Sequence, residues 1–273
     1  MSIENNIGNV KPQKEIPRRL WLANEISLKL VVKDINITGK ENIKEIPMGA
    51  KVIVMTTHLT DFDVPIAIHS VAKELDIVVM NESVHHHLFG KQGEASTNLG
   101  MRIAGTKNFL SIDYRKNESG KKSPKAFNSE NFEPAVKAME EGRAVMMAAH
   151  NPSQEPRQNL DDVKGGYGGV YLAELTDAYI LPVTIVLDRA TGMYEPNFGA
   201  LKNLKGKPNA SVVIGKPFQL EKIVGIERFS ELTKKEDKLT EEEHVEFSRL
   251  AKALREQSAV VMKKLSEQLA KKD

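Results

Sequence analysis

The chain has 273 residues, of which 40% are hydrophobic and 28% are charged. These values are typical of a globular protein and argue against wholesale disorder. The net charge of +2 provides no overall attraction to polyanions, so a nucleic-acid partner is not expected. Because the chain contains no cysteine, disulfides, thiolate nucleophiles and cysteine-based zinc sites are excluded.

Residues 1–30 are interpreted as an N-terminal arm and helix. Residues 1–17 are polar and lack the basic-then-apolar order of a signal peptide, and no segment approaches the roughly 18 apolar residues of a spanning helix. We therefore expect a cytoplasmic protein whose membrane contact, if any, is peripheral and on the inner face. Segment 18–32 mixes two hydrophobic periods and is either an element packed on the core or a membrane-surface element.

From residue 31 onward, short apolar runs alternate with amphipathic segments. Strands are predicted over residues 31–37, 51–56, 76–80, 108–112, 144–149, 179–187 and 210–215, and helices over residues 62–74, 130–141 and 167–177. This alternation predicts one α/β domain over residues 31–220, with a central mixed sheet flanked by helices.

Residues 221–273 are predicted to form a C-terminal helical extension. Its main element is a long helix over residues 240–271, which begins with a capping box of Thr240 and Glu243. Apolar residues at helical spacing predict one buried face, which contains Val245, Leu250, Leu254, Val261 and Leu265.

A histidine and a carboxylate follow the predicted strand 51–56 as His58 and Asp63. The carboxyl ends of strands are where α/β folds bind ligands. If Asp63 lies in the first helical turn, its carboxylate can bond one imidazole nitrogen of His58, and the other nitrogen can take a proton from a hydroxyl. On spacing alone the alternative is a helix cap formed by Thr60 and Asp63, with His58 as an ordinary loop residue.

Several blocks of sequence follow one another in an order typical of one known family. They are a lead-in to the strand (ITGKENIKEIPMGAKVIVMTTH, 37–58), a histidine followed after four residues by an aspartate (His58 to Asp63), a glycine and a phenylalanine before an arginine (GTKNFLSIDYR, 105–115), GRAVMM (142–147) and KGGYGGVYLAELTDAYILPVTI (164–185). In this order the blocks resemble the glycerolipid acyltransferases, the 1-acylglycerol-3-phosphate acyltransferases and their relatives. The resemblance covers residues 31–220 and implies an acyltransferase-like fold.

The resemblance also implies an activity. His58 would act as the general base on an acceptor hydroxyl that attacks an acyl thioester, and Asp63 would orient the imidazole ring. The implied donor is acyl-CoA or an acyl carrier protein, and the implied acceptor is a lysophospholipid-like or other lipid hydroxyl. Neither a cofactor nor a metal is expected, and the adjacent histidines 85–87 do not converge on one ion.

The third block departs from the family pattern. Where the family carries a proline-glutamate-glycine-threonine-arginine run that binds the acceptor phosphate, this chain reads AAHNPSQEPR over residues 148–157. In this block His150, Asn151, Ser153 and Arg157 are predicted to bind a different polar head group. Arg115 is predicted to bind substrate by its match to the second block, and Lys164 and Gly165 by their match to the block 164–185. The departure puts an ordinary glycerol-phosphate acceptor in doubt, and HNPSQEP can also be a simple turn.

Two further functions are compatible with the same residues. A homologue that has lost catalysis would bind lipid or an acyl carrier without transferring the acyl group. An acyl-thioester hydrolase would use the same His58 base to activate water in place of a lipid hydroxyl.

Overall fold

The computed structural model describes residues 22, 24–26, 28–29, 32–58, 63–81, 109–111, 132–150, 160, 163–188, 207–235 and 238–270. The strands are β1 (Ile35–Thr38), β2 (Val52–Thr56), β3 (Ile77–Asn81), β4 (Phe109–Ser111), β5 (Ala144–Ala148), β6 (Tyr179–Leu187) and β7 (Ala210–Ile214). The α-helices are α1 (Asp63–Val71), α2 (Glu133–Glu140), α3 (Gly168–Thr176), α4 (Glu227–Lys235) and α5 (Glu241–Ala270), and a 3-10 helix spans Lys40–Glu45.

The seven strands form one mixed sheet in the order β1-β7-β6-β2-β5-β3-β4. Strands β6, β2, β5, β3 and β4 run parallel to one another, whereas β7 is antiparallel to β6 and parallel to β1. The predicted α/β fold with a central mixed sheet, flanking helices and a long C-terminal helix is confirmed. β2 lies inside the sheet, which explains why all five of its residues are buried.

Helices cover both faces of the sheet. On one face, Met55 and Met147 pack in a core cluster with residues of α2, α3, α4 and α5. On the other face, Val54 and Met146 pack in a second cluster with residues of α1 and the 3-10 helix. Alternate residues of β2 and β5 thus face opposite layers, as the two-residue period of a strand requires. The site residues after β2 and β5 leave the sheet between these two layers.

The structure corrects two predictions about single elements and confirms a third. The first strand begins at Ile35, and Val32 lies outside it with its side chain in the core. The capping box is confirmed, because the Glu243 N–H donates to Thr240 Oγ1 (3.3 Å) and the Thr240 N–H donates to Glu243 Oε2 (3.0 Å). The prediction that Val245 lies on the buried face of the helix is wrong, since this residue is 70% exposed one turn after the start of α5.

Segment 18–32 is described only in part. Its described residues between 22 and 29 are helical, with Leu28 in the core and Leu22 and Ile26 exposed. The Asn24 side chain donates to the Pro65 carbonyl (2.9 Å) and thereby ties this helix to α1. Among the described residues, no helix combines the length and apolar character needed to cross a membrane.

Candidate active site at the carboxyl edge of the sheet

Three parallel strands bring their carboxyl ends to the same edge of the sheet. Thr56 at the end of β2 is in register with Ala148 of β5 on one side and with Val183 of β6 on the other. The hydrogen bonds continue one step beyond the strand, from the Ala149 N–H to the Thr56 carbonyl (2.8 Å) and from the Thr57 N–H to the Val183 carbonyl (3.2 Å). The residue that follows, His58, therefore leaves the sheet at a position fixed from both sides.

The side chain of His150 meets the main chain of His58 at this edge. The His58 N–H donates a hydrogen bond to His150 Nε2 at 3.0 Å, and the His150 side chain is buried. Because Nε2 accepts this bond, the ring proton of a neutral His150 lies on Nδ1. The structure therefore places the His150 ring at the edge where His58 leaves β2.

Asp63 is the first residue of α1 and is fully buried. A carboxylate at a helix N-terminus is favoured by the exposed N–H groups and by the helix dipole. A buried carboxylate also requires hydrogen bonds or an opposite charge, because desolvation otherwise makes its ionised form costly. His58 and Asp63 thus mark the two ends of the turn between β2 and α1, while residues 59–62 lie outside the described residues.

Thr56 and Thr57 are buried hydroxyl residues at the edge that the sequence reasoning did not assign. Thr57 Oγ1 accepts a hydrogen bond from the Ile185 N–H (3.1 Å) and links β2 to β6. Within the described part of the chain, the fully buried Thr56 Oγ1 has no hydrogen-bond partner. The signal that could have found them is a pair of threonines closing an otherwise apolar strand directly before His58.

A short segment before α3 holds the end of β5. His150 forms an antiparallel bridge with Gly165, and the Gly166 N–H donates to the Ala149 carbonyl (2.8 Å). Ser258 of α5 donates in turn to the Gly166 carbonyl (3.2 Å). A Cβ on Gly165 would lie 2.2 Å from Ser258 Oγ, so this close approach of α5 requires glycine.

Of the remaining residues predicted to bind substrate, only some lie in the part of the chain that the structure describes. Lys164 is exposed beside Gly165. Arg115, Asn151, Ser153 and Arg157 lie outside the described residues, as do histidines 85–87. In the portion of the chain that is described, no group of three or more metal-ligating side chains could hold a metal ion.

Comparison with known proteins gives a likeness in structure and none in sequence. No family model matches the chain, and no curated protein matches it in sequence. Among solved structures, the chain is similar to the 1-acyl-sn-glycerophosphate (LPA) acyltransferase PlsC from Thermotoga maritima, with a TM-score of 0.46 and 12% identity over 80% of this chain and 75% of that chain. At this level the likeness transfers no activity, and the function has to be argued from the residues themselves.

Proposed function

We propose that the protein is an acyltransferase that moves an acyl chain from an acyl thioester to a hydroxyl of a lipid-like acceptor. The observation that carries the proposal is the corner between β2 and α1, where His58 leaves the central strand and the buried Asp63 begins the helix. This corner sits at the carboxyl ends of parallel strands, where α/β folds bind ligands. Its order of residues is also the order in which the glycerolipid acyltransferases carry their base and carboxylate.

The proposed chemistry assigns proton transfer to His58 and charge stabilisation to Asp63. An acceptor hydroxyl is a poor nucleophile at neutral pH, so His58 takes its proton while the oxygen attacks the thioester carbonyl carbon. The carbon–sulfur bond then breaks, and the leaving thiolate receives that proton from His58. Asp63 orients the ring and stabilises the imidazolium that forms between these two steps. The products are an ester and a free thiol, and no covalent acyl-enzyme is needed.

The donor we propose is acyl-CoA or an acyl carrier protein, and the acceptor is a lysophospholipid-like or other lipid hydroxyl. Arg115, Asn151, Ser153 and Arg157 are proposed to bind the acceptor head group, because a hydroxyl must be held within reach of His58 for transfer. The AAHNPSQEPR sequence in place of the family's acceptor-binding run favours a head group other than plain glycerol phosphate. A bilayer would be contacted peripherally, through segment 18–32 or the basic segment 115–125.

The competing functions are separated by one assay. Purified protein is incubated with an acyl-CoA labelled in its acyl chain, with and without a lipid extract, beside a heat-unfolded control. Labelled lipid that appears only with the extract is the expected result. Free labelled acid in both incubations would identify a thioester hydrolase, and labelled donor bound without any product would identify a binding protein.

A further inference from the structure

The main-chain ladder between β2 and β5 ends in an unusual way. In a parallel pair, donors on one strand recur every second residue, so the donor that follows Thr56 toward β5 is the His58 N–H. The carbonyl it would ordinarily reach is that of Ala149, but this oxygen accepts the Gly166 N–H at 2.8 Å. The His58 N–H instead donates to the ring of His150 at 3.0 Å. A side chain has replaced a main-chain acceptor at the residue proposed to do the chemistry.

We propose that His150 is a positioning residue, whose Nε2 atom holds the main chain of His58 so that its imidazole meets the acceptor hydroxyl. This inference rests on the proposed acyltransferase function and assigns a role in it that differs from substrate binding. Proton transfer is sensitive to the placement of the base, and a displacement of about 1 Å can cost roughly 10²-fold in rate. A hydrogen bond to the main chain of the base restrains that placement directly.

His150 is itself held in a way that suits this role. Its side chain is only 2% exposed, and its main chain bridges Gly165. The Gly165–Gly166 segment is pressed against Ser258 of α5, where no Cβ would fit on Gly165. The ring that accepts the His58 N–H is therefore anchored through a packed segment to the longest helix of the protein.

The hydrogen bond defines what a substitute for His150 must provide. The atom that takes the position of Nε2 must be a hydrogen-bond acceptor, since the His58 N–H is a donor. In His150→Gln, the side-chain amide oxygen can reach the position of Nε2, whereas His150→Leu has similar bulk and no acceptor. His244, which is exposed on α5, provides a matched control as His244→Leu.

The activity arm measures kcat and both KM values in the labelled transfer assay. We expect His150→Leu to lower kcat about 10²-fold with the acceptor KM nearly unchanged, and His150→Gln to recover most of that loss. His244→Leu should behave as the wild type. Equal kcat in Leu and Gln variants, or a rise in acceptor KM at normal kcat, would overturn the positioning role.

The structural arm needs no substrate. Amide hydrogen exchange in the wild-type protein should show a protected His58 N–H, and the imidazole nitrogen spectrum should show His150 with its proton on Nδ1. Rapid exchange at His58, or a proton on Nε2 of His150, would overturn the inference even if His150→Leu failed to fold. Inactive wild-type protein in the activity arm would instead overturn the proposed function, so the two failures are distinguishable.

Discussion

Two groups of buried or half-buried polar residues differ in their surroundings, one at the edge of the sheet and one between the sheet and α5. The edge cluster consists of His58, Asp63 and His150 at the carboxyl ends of β2 and β5. The seam cluster consists of Thr184 and Gln268 between β6 and α5, where the Thr184 hydroxyl lies 2.8 Å from Gln268 Oε1 and 3.0 Å from the Leu265 carbonyl. In the seam cluster uncharged groups satisfy one another between two packed elements, whereas the edge cluster holds ionisable groups where the chain leaves the sheet.

Burial and hydrogen bonding therefore do not by themselves identify a functional site. Every buried polar group needs a partner, and most such partnerships only stabilise the fold. A site also needs groups that can exchange protons and a place where a ligand can approach. Changes in the edge cluster should therefore alter rate at nearly constant stability, and changes in the seam cluster should do the reverse.

Outside His58 and His150, the largest effect is expected from Asp63→Asn, which keeps the shape of the side chain and removes its charge. In the proposed mechanism Asp63 orients the His58 ring and stabilises its positive charge, so kcat should fall about 10²-fold and leave a residual rate. Asp177→Asn is the control, since that carboxylate is exposed in the turn after α3. Wild-type kcat in Asp63→Asn would remove the carboxylate from the mechanism.

A second comparison tests whether the edge cluster depends on the packing of the Gly165–Gly166 segment against α5. Gly165→Ala would force a Cβ to within 2.2 Å of Ser258 Oγ, whereas Gly166→Ala meets nothing nearer than the Ala149 carbonyl at 3.8 Å. We expect Gly165→Ala to lower the free energy of unfolding by about 1–3 kcal/mol and to lower kcat as well. Gly166→Ala should change both much less in chemical denaturation and in the transfer assay. Equal kcat and equal free energy of unfolding in the two variants would show that the site does not depend on packing against α5.

The third prediction concerns the acceptor and the altered third block. Asn151→Ala and Arg157→Ala should raise the acceptor KM about tenfold and leave the donor KM nearly unchanged, as a loss of uniform acceptor binding would. Steady-state kinetics with varied acceptor at saturating donor provides both values. Efficient turnover of 1-acylglycerol-3-phosphate by both variants would show that AAHNPSQEPR is neutral loop variation.

A change in the seam cluster should lower stability and leave the rate of transfer unchanged. Thr184→Val removes the hydroxyl that bonds α5 and keeps the branched shape of the side chain. We expect the free energy of unfolding to fall by about 1 kcal/mol, the net value of one hydrogen bond, with kcat unchanged. Denaturant unfolding measured beside the transfer assay tests this prediction. A large loss of kcat at normal stability would extend the site to the β6–α5 seam.

The smallest effect is expected at Thr56. Its buried hydroxyl has no hydrogen-bond partner among the described residues, and an unsatisfied buried polar atom is costly. Thr56→Val should therefore leave kcat unchanged and raise the free energy of unfolding by up to about 1 kcal/mol. A higher acceptor KM in this variant would instead identify the hydroxyl as a ligand contact.

Most strands and helices could be predicted from the sequence, whereas the contacts between them could not. Apolar runs of strand length located β2, β5 and β6, because strands buried on both faces of a parallel sheet are nearly continuous in hydrophobicity. The capping box at the start of α5 could be predicted from the sequence because its two residues are three positions apart. α4 was not delineated within the predicted extension, since a nine-residue amphipathic helix gives a weak periodic signal.

The hydrogen bond between His58 and His150 illustrates what sequence alone does not provide. The two residues are 92 positions apart, and placing both at the carboxyl edge follows from strand prediction alone. In the structure the Ala149 carbonyl accepts the Gly166 N–H, and the His150 ring accepts the His58 N–H. Such a detail depends on the register of three segments, which local propensity does not determine. The contact changes the role proposed for His150 from binding substrate to positioning the base.

If the edge cluster performs acyl transfer, the reaction depends on His58 as its base. The decisive measurement is the amount of labelled lipid formed by purified wild-type protein and by His58→Ala, each with its unfolding transition measured in parallel. We expect His58→Ala to form about 10²–10⁴-fold less lipid product, with an unfolding transition close to that of the wild type. Wild-type yields of labelled lipid from folded His58→Ala would contradict the role of His58 as the base.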